Sequence, residues 1–167
     1  MFIIGLGNPG EKYKNNRHNV GHQFIDYLTQ QTSNSKSQKL NIKIFKTDVF
    51  MNESGDFVKK LIGNRKFKIE NLVIVHDDLD IPFGKFRIDF ARGPRLHNGI
   101  KSIEQTLKNK NFWRIRIGVD NRKKTGWVEG EKYVLQDFLA DEKKMIESEV
   151  FPKVLKKLEK KVEILNI

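Results

Sequence analysis

Apolar residues along the chain fall into short runs, alternations and helical stripes, and each pattern predicts an element. Phe2–Leu6 is a continuous apolar run that ends in glycine-rich turn signals, as a strand buried on both faces would. Over residues 19–31, Val20, Phe24, Ile25 and Leu28 share one helical face. Thr32–Gln38 is polar and predicts a loop, and Leu40–Phe45 alternates until Phe45, which predicts a half-buried strand. Ser54–Ile62 suits a short helix. Leu72–Val75 predicts a second buried strand that stops at the cluster His76-Asp77-Asp78-Leu79-Asp80. Lys85–Phe90 alternates again, with Phe86, Ile88 and Phe90 on one face. Asn98–Leu107 suits a helix, and Trp113–Val119 sets Trp, Ile, Ile and Val against Arg114 and Arg116. From Asp141 a helical pattern carries Ile146, Val150, Val154, Leu158, Val162 and Leu165. Pro152, which has no N–H to donate, predicts the start of a second helical segment there. Strands alternating with helices point to an α/β fold. No repeat or linker divides the chain, so residues 1–167 are expected to form one domain.

Composition narrows the class. A chain of 167 residues is long enough for one full core, and 38% hydrophobic residues with twelve Phe exclude a disordered chain. The longest apolar runs, FIIGL and LVIV, fall far short of the roughly 20 residues that span a bilayer. The N-terminus has neither a basic leader nor a small-residue cleavage site. These features predict a cytoplasmic protein with no membrane partner. The absence of Cys excludes a disulfide framework, thiol catalysis and Cys-ligated metal. The net charge of +11 is ambiguous by itself, because a chain rich in Lys, Asn and Ile with only two Ala can owe its lysines to codon bias. Its distribution says more. Residues 85–124 hold twelve basic side chains, six of them Arg, against Asp89, Glu104 and Asp120, which concentrates most of the net charge in one segment. A positive field so concentrated points to a polyanionic partner.

Four strand-to-helix transitions carry the candidate chemistry. Gly5-Leu6-Gly7-Asn8-Pro9-Gly10 fits the dinucleotide fingerprint, but Pro9 removes an N–H from the turn that should cradle a pyrophosphate. The polar run Glu11–Asn19 after it is also unlike an apolar crossover helix, and no strand-end acid follows at the required distance. Arg17-His18-Asn19 precedes the first helix at the carboxyl end of strand one, where an α/β sheet opens its crevice. His76–Asp80 ends another apolar strand. Its carboxylates suit a divalent cation or a capped turn, and an Asp there can also hold the ring of a His from the neighbouring strand end. Phe50-Met51-Asn52-Glu53-Ser54-Gly55 and Leu96-His97-Asn98-Gly99 each place an Asn before a helix, as an N-cap or as an amide aimed at a reacting carbonyl.

Taken together, GLGNPGEKYKNNRHNVG, FMNESG, HDDLDIPFGK and HNGIKS closely resemble, in that order, the bacterial-type peptidyl-tRNA hydrolases. The resemblance covers most of residues 1–119. It implies one α/β domain with a twisted mixed sheet among helices. It also implies hydrolysis of the ester between a peptide and the 3′ ribose of tRNA, recycling prematurely released peptidyl-tRNA in translation. By the same resemblance His18 is the base, Asp77 supports it, and Asn8, Asn52 and Asn98 line the site with Tyr13 and Phe50 flanking the substrate. No cofactor and no metal are implied, and a monomer is expected. His22, His76 and His97 are assigned structural places.

The chemistry suits these residues independently of the family. Neutral imidazole can take a proton from water near neutral pH, and a carboxylate on its other nitrogen fixes the tautomer. Asn52 would donate to the oxyanion, while Asn8 and Asn98 place the peptide carbonyls and the water. Phosphates of the acceptor arm would meet the basic segment, with Lys85, Arg87, Arg92, Arg95 and Lys101 as candidates. The chain departs from the family at Ala91–Leu96, where Pro, Arg and Leu stand in place of the small residues of the usual Gly-rich stretch, and at Asp89, where a basic residue is usual. It also lacks the usual Pro before Phe50, and its shorter stretch between His18 and Asn52 implies a trimmed strand or hairpin. Two other classes compete: an RNA-binding relative without catalysis and a nucleotide-dependent oxidoreductase. The C-terminal segment is expected to be structural, with a mobile lid as the alternative.

Overall fold

The computed structural model describes residues 1–34, 42–63 and 67–165. Its strands are β1 (Phe2–Gly5), β2 (Lys43–Lys46), β3 (Leu72–Pro82), β4 (Phe86–Phe90) and β5 (Trp113–Asp120). Its helices are α1 (Val20–Asn34), α2 (Ser54–Ile62), α3 (Asn98–Leu107), α4 (Arg122–Thr125), α5 (Gly130–Val134), α6 (Ala140–Met145) and α7 (Phe151–Leu165). The strands form one mixed sheet in the order β2-β1-β3-β5-β4, with only β4 antiparallel to its neighbour.

The sequence pattern accounts for the layering. β1 and the start of β3 lie inside the sheet and are apolar on both faces, as parallel strands covered on both sides must be. Ile3, Val73, Val75, Ile115 and Ile117 pack with Val20, Phe24, Ile25 and Leu28 of α1 and with Val154, Leu158 and Val162 of α7. On the other face Phe2, Ile4, Leu72 and Ile74 meet Val58 of α2 and Ile100 and Ile103 of α3. Gly21, in the first turn of α1, lets the helix lie against the strands: a Cβ there would collide with Val75 O and with the backbone of Leu6. That close approach also explains the glycines of the G-x-G motif. A Cβ at Gly5 would strike Gly21 O and one at Gly7 the ring of His22, so these residues serve packing rather than a pyrophosphate.

Several boundaries differ from expectation. Thr32–Asn34 continue α1, and the rest of the expected Thr32–Gln38 loop lies outside the described residues. Of the expected strand Leu40–Phe45, Leu40 and Asn41 lie outside the described residues and the ladder runs from Lys43 to Lys46. β3 does not stop at Val75. Its pairing with β5 carries it through the acidic cluster, with a register shift between Asp78 and Pro82. The cluster is therefore strand rather than turn, and Arg116 on β5 makes this tolerable by donating to Asp78 Oδ2 at 2.7 Å.

Arg114 and Arg116 are the second correction. They sit on the α3 side of β5, and both are buried. Glu104 on α3 takes Arg114 at 2.7 Å, and Arg116 is shared by Asp78 and by Asp89 at 2.9 Å. The segment after β4 closes over them, with Arg114 donating to Gly93 O. These two residues are interior ion pairs and not part of the surface field. At the C-terminus Pro152 is the second residue of α7, and the chain before it widens into a π-helical turn over Ile146–Val150. That wider turn accommodates a residue whose ring would clash with the preceding turn.

Candidate active site

Strand order reverses between β1 and β3, because α1 leads away to β2 on one side while later strands are added on the other. A crevice opens at the carboxyl ends of strands at such a point. β1 delivers Asn8 there, β3 delivers Asp77, and the single 3₁₀ turn Arg17–Asn19 delivers His18 at the head of α1.

Asn side chains stitch these segments together. Asn8 N donates to Asn19 Oδ1 and Asn19 Nδ2 to Asn8 O, each at 2.9 Å, so one amide satisfies both backbone groups of Asn8. Asn8 Oδ1 in turn accepts from Met51 N at 2.9 Å, which ties the F-M-N turn to the N-P-G turn. Asn52 lies exposed in the turn Met51–Glu53, and Tyr13 and Phe50 meet edge to face at 6.4 Å.

At the centre, Asp77 Oδ1 accepts from His18 Nδ1 at 2.8 Å and from His97 Nε2 at 2.9 Å. His97 Nδ1 accepts from Gly99 N at 3.1 Å and Ile100 N at 3.3 Å, so His97, not Asn98, caps α3 and sits as the Nε2–H tautomer. Asn98 is exposed in the first turn, with its amide free of that duty. The His97 ring lies 5.0 Å from that of His18 and 4.8 Å from that of His76. His97 is therefore part of this cluster and not only the structural residue expected from the sequence. The usable signal is a polar residue directly before the helix start, a place that His97 shares with its neighbour Asn98.

Electrostatics follow from burial and the shared carboxylate. His18 is 9% exposed; burial disfavours its charge, but the Asp77 carboxylate outweighs that and raises its pKa above the ordinary imidazole value. For Asp77, burial pushes upward and the two imidazoles pull harder, leaving it well below the carboxylate range. His76 is fully buried and held neutral, chiefly by desolvation. His22 is lowered to about 4 by burial and by Lys46, and bonds Thr47 Oγ1 at 2.9 Å, which matches the structural place expected for it.

Donor atoms of His18, Asp77 and His97 lie within 4.8 Å of one another, close enough to suggest a metal triad. As arranged they hold each other instead: one carboxylate oxygen takes both N–H groups, and the remaining nitrogen of His97 caps a helix. The other acids do not join them. Asp78 faces Arg116, with its second oxygen taking Asp80 N, and Asp80 Oδ2 takes Arg95 N at 2.9 Å.

A further residue escaped sequence reasoning. Arg17, 2% exposed, donates to Glu142 at 2.6 Å and to the carbonyls of Gln136 and Asp137, and lies 4.1 Å from the Tyr133 ring centroid. Glu142 also takes Asn121 Nδ2 and Leu139 N. The turn that carries His18 is thus bolted to the far end of the chain. No local pattern reveals a pair 125 residues apart. Lys85, Arg87, Arg92, Arg95 and Lys101 are all exposed. Among the described residues, no helix is long and apolar enough to cross a membrane.

Residues 2–165 match the family model described as peptidyl-tRNA hydrolase. The peptidyl-tRNA hydrolase of Sulfurihydrogenibium sp. is 36% identical over 157 residues, 87% of this chain and 82% of that protein. That of Listeria innocua is 40% identical over 150 residues, 82% of this chain and 80% of its own. A crystal structure of peptidyl-tRNA hydrolase from Acinetobacter baumannii shares the fold with a TM-score of 0.76 at 24% identity, covering 97% of this chain and 90% of that one.

Proposed function

This chain belongs to the peptidyl-tRNA hydrolase family and is an ester hydrolase, and we propose that it cleaves peptidyl-tRNA with His18 as general base. The observation that carries this reading is the hydrogen bond of His18 Nδ1 to Asp77 at the mouth of the β1–β3 crevice. With Nδ1–H donated to the carboxylate, Nε2 is the basic nitrogen, suited to take a proton from water as it attacks the ester carbonyl. Asp77 then stabilises the imidazolium as it forms. Asn52 donates to the developing oxyanion, and Asn8 and Asn98 place the water and the peptide carbonyls. Tyr13 and Phe50 flank the acyl chain. The imidazolium returns its proton to the ribose 3′ oxygen as that group leaves. Exposed Lys85, Arg87, Arg92, Arg95 and Lys101 hold the acceptor-arm phosphates. We take residues 1–167 as one catalytic domain, acting as a monomer in the cytoplasm on tRNAs that have left the ribosome with peptide attached.

Release of N-acetylamino acid from N-acetylaminoacyl-tRNA, beside free aminoacyl-tRNA as control, tests the activity. An RNA-binding relative would hold the tRNA and release nothing. The pH dependence tests the roles. Activity requires neutral His18, whose pKa is raised, so kcat/KM should climb through a midpoint above about 6.5 and then level off. In Asp77→Asn the carboxylate that raises His18 is gone and desolvation remains, so the midpoint should move to lower pH while the plateau falls steeply. A midpoint that stays put or moves upward would remove Asp77 from this role.

The exposed cations make an electrostatic prediction. Affinity for tRNA should fall log-linearly with salt, and Arg92→Ala with Arg95→Ala together should flatten the slope by about two phosphate contacts. A salt titration with an unchanged slope would put the tRNA on another face.

A further inference from the structure

Trp127 is 81% exposed, and the fold goes to some length to present it. α4 before it is one turn, closed by hydrogen bonds from Lys124 N and Thr125 Oγ1 to Asn121 O and ended by Gly126 at φ 95°.

 

At Gly126 that φ of 95° lies in the left-handed region that favours glycine, so the turn ends there and releases Trp127 outward. Arg122 fastens the other side: it donates to Asp120 from Nε at 2.8 Å and from Nη2 at 3.0 Å, and its Nη1 donates to Val128 O at 3.2 Å, on the residue after Trp127. Arg122 is thereby spent on the scaffold. Lys123 and Lys124, on the same turn, remain exposed.

The place of this turn in the fold matters as much as its build. It follows β5 at the carboxyl end of the sheet, beyond Asp77, which pairs with Ile117 inside β3. Gly130 abuts Leu79, two residues beyond Asp77: a Cβ at Gly130 would meet Leu79 Cδ1 at 2.9 Å. Three residues span at most about 11 Å, so the Trp127 backbone stays within that distance of Gly130. The segment then runs on to Gln136 and Asp137, whose carbonyls take Arg17 beside His18. These contacts place the segment that carries Trp127 at the same end of the sheet as the crevice.

We propose that Trp127, flanked by Lys123 and Lys124, is a stacking platform for an unpaired base of the single-stranded 3′ tail of the tRNA. This rests on the reading of the chain as acting on peptidyl-tRNA. An indole offers a π-face to any base, and adjacent lysines supply the phosphate attraction that such platforms combine with it. A protein partner fits less well, since protein interfaces deplete lysine around their aromatic anchors.

The chain has two Trp, so in a Trp113→Phe background the emission belongs to Trp127 alone. An RNA minihelix with a short single-stranded 3′ tail should quench it, and the same minihelix with the tail removed should not. Trp127→Ala, introduced at an exposed position and checked by an unchanged thermal melt, should weaken binding of the tailed RNA about tenfold, and Trp127→Phe should keep most of it. With N-acetylaminoacyl-tRNA the loss in Trp127→Ala should appear in KM, with kcat retained. Equal quenching by both RNAs, no quenching, or unchanged binding by Trp127→Ala would overturn the platform. Tail binding through Trp127 without any ester cleavage would leave the platform standing and overturn the hydrolase reading instead.

Discussion

His18→Ala should lose hydrolysis of N-acetylaminoacyl-tRNA by about a thousandfold, while the fold and tRNA binding persist. The loss is large because the variant deletes the base rather than detuning it. The fold survives because Asp77 Oδ1 accepts from two imidazoles, and His97 still donates to it at 2.9 Å when His18 is gone. The carboxylate is then not left buried without a partner, which would itself cost stability. Single-turnover release of the acyl group, read beside a thermal melt and a tRNA-binding isotherm, checks all three statements. Residual activity within tenfold of the unaltered protein would remove His18 from the role of base.

Deleting residues 153–167 should abolish the cooperative melt or soluble expression altogether. Val154, Leu158 and Val162 form one buried stripe against the α1 face of the sheet, and each such side chain contributes about 1.5–3 kcal/mol when buried. Three of them together approach the whole stability of an ordinary domain. The lysines beside this stripe are engaged as well: Lys161 Nζ lies 3.7 Å from the Trp113 ring centroid and Lys157 Nζ 5.6 Å from that of Phe86. A mobile lid would instead give a truncated protein with a normal melting temperature and a raised KM, so melting and kinetics measured on one sample separate the two.

What could be read in the chain beforehand depended on how local its cause was. α2 and α3 have their expected limits because an apolar stripe is a local property, and Gly63 and the His97 cap mark the end of one and the start of the other. Asn8 and His18 lie beyond the carboxyl end of β1 as expected, whereas Asp77, expected past the end of its strand, lies inside β3 opposite Ile117. Three features were not legible, and all depend on pairing across long stretches of sequence. β3 continues past Val75 only because β5 lies beside it. Arg114 and Arg116 look like the solvent face of an alternating strand, yet the acids that bury them come from β3, β4 and α3. Arg17 looks like one more surface cation until Glu142 is placed against it.

The position of β5 between β3 and β4 bears on how the protein is made. During synthesis β4 emerges before β5, its one partner in the sheet among the described residues. Until Trp113–Asp120 arrives, β3 has an open edge, β4 has nothing to pair with, and Asp78 lacks the guanidinium of Arg116. A nascent chain that stops short of Trp113 already contains His18, Asp77 and His97, but not the strand that holds the Asp77 segment in register. Truncated translation products of this gene should therefore be inert and prone to associate through their unpaired edges. Full-length synthesis is then a condition for activity.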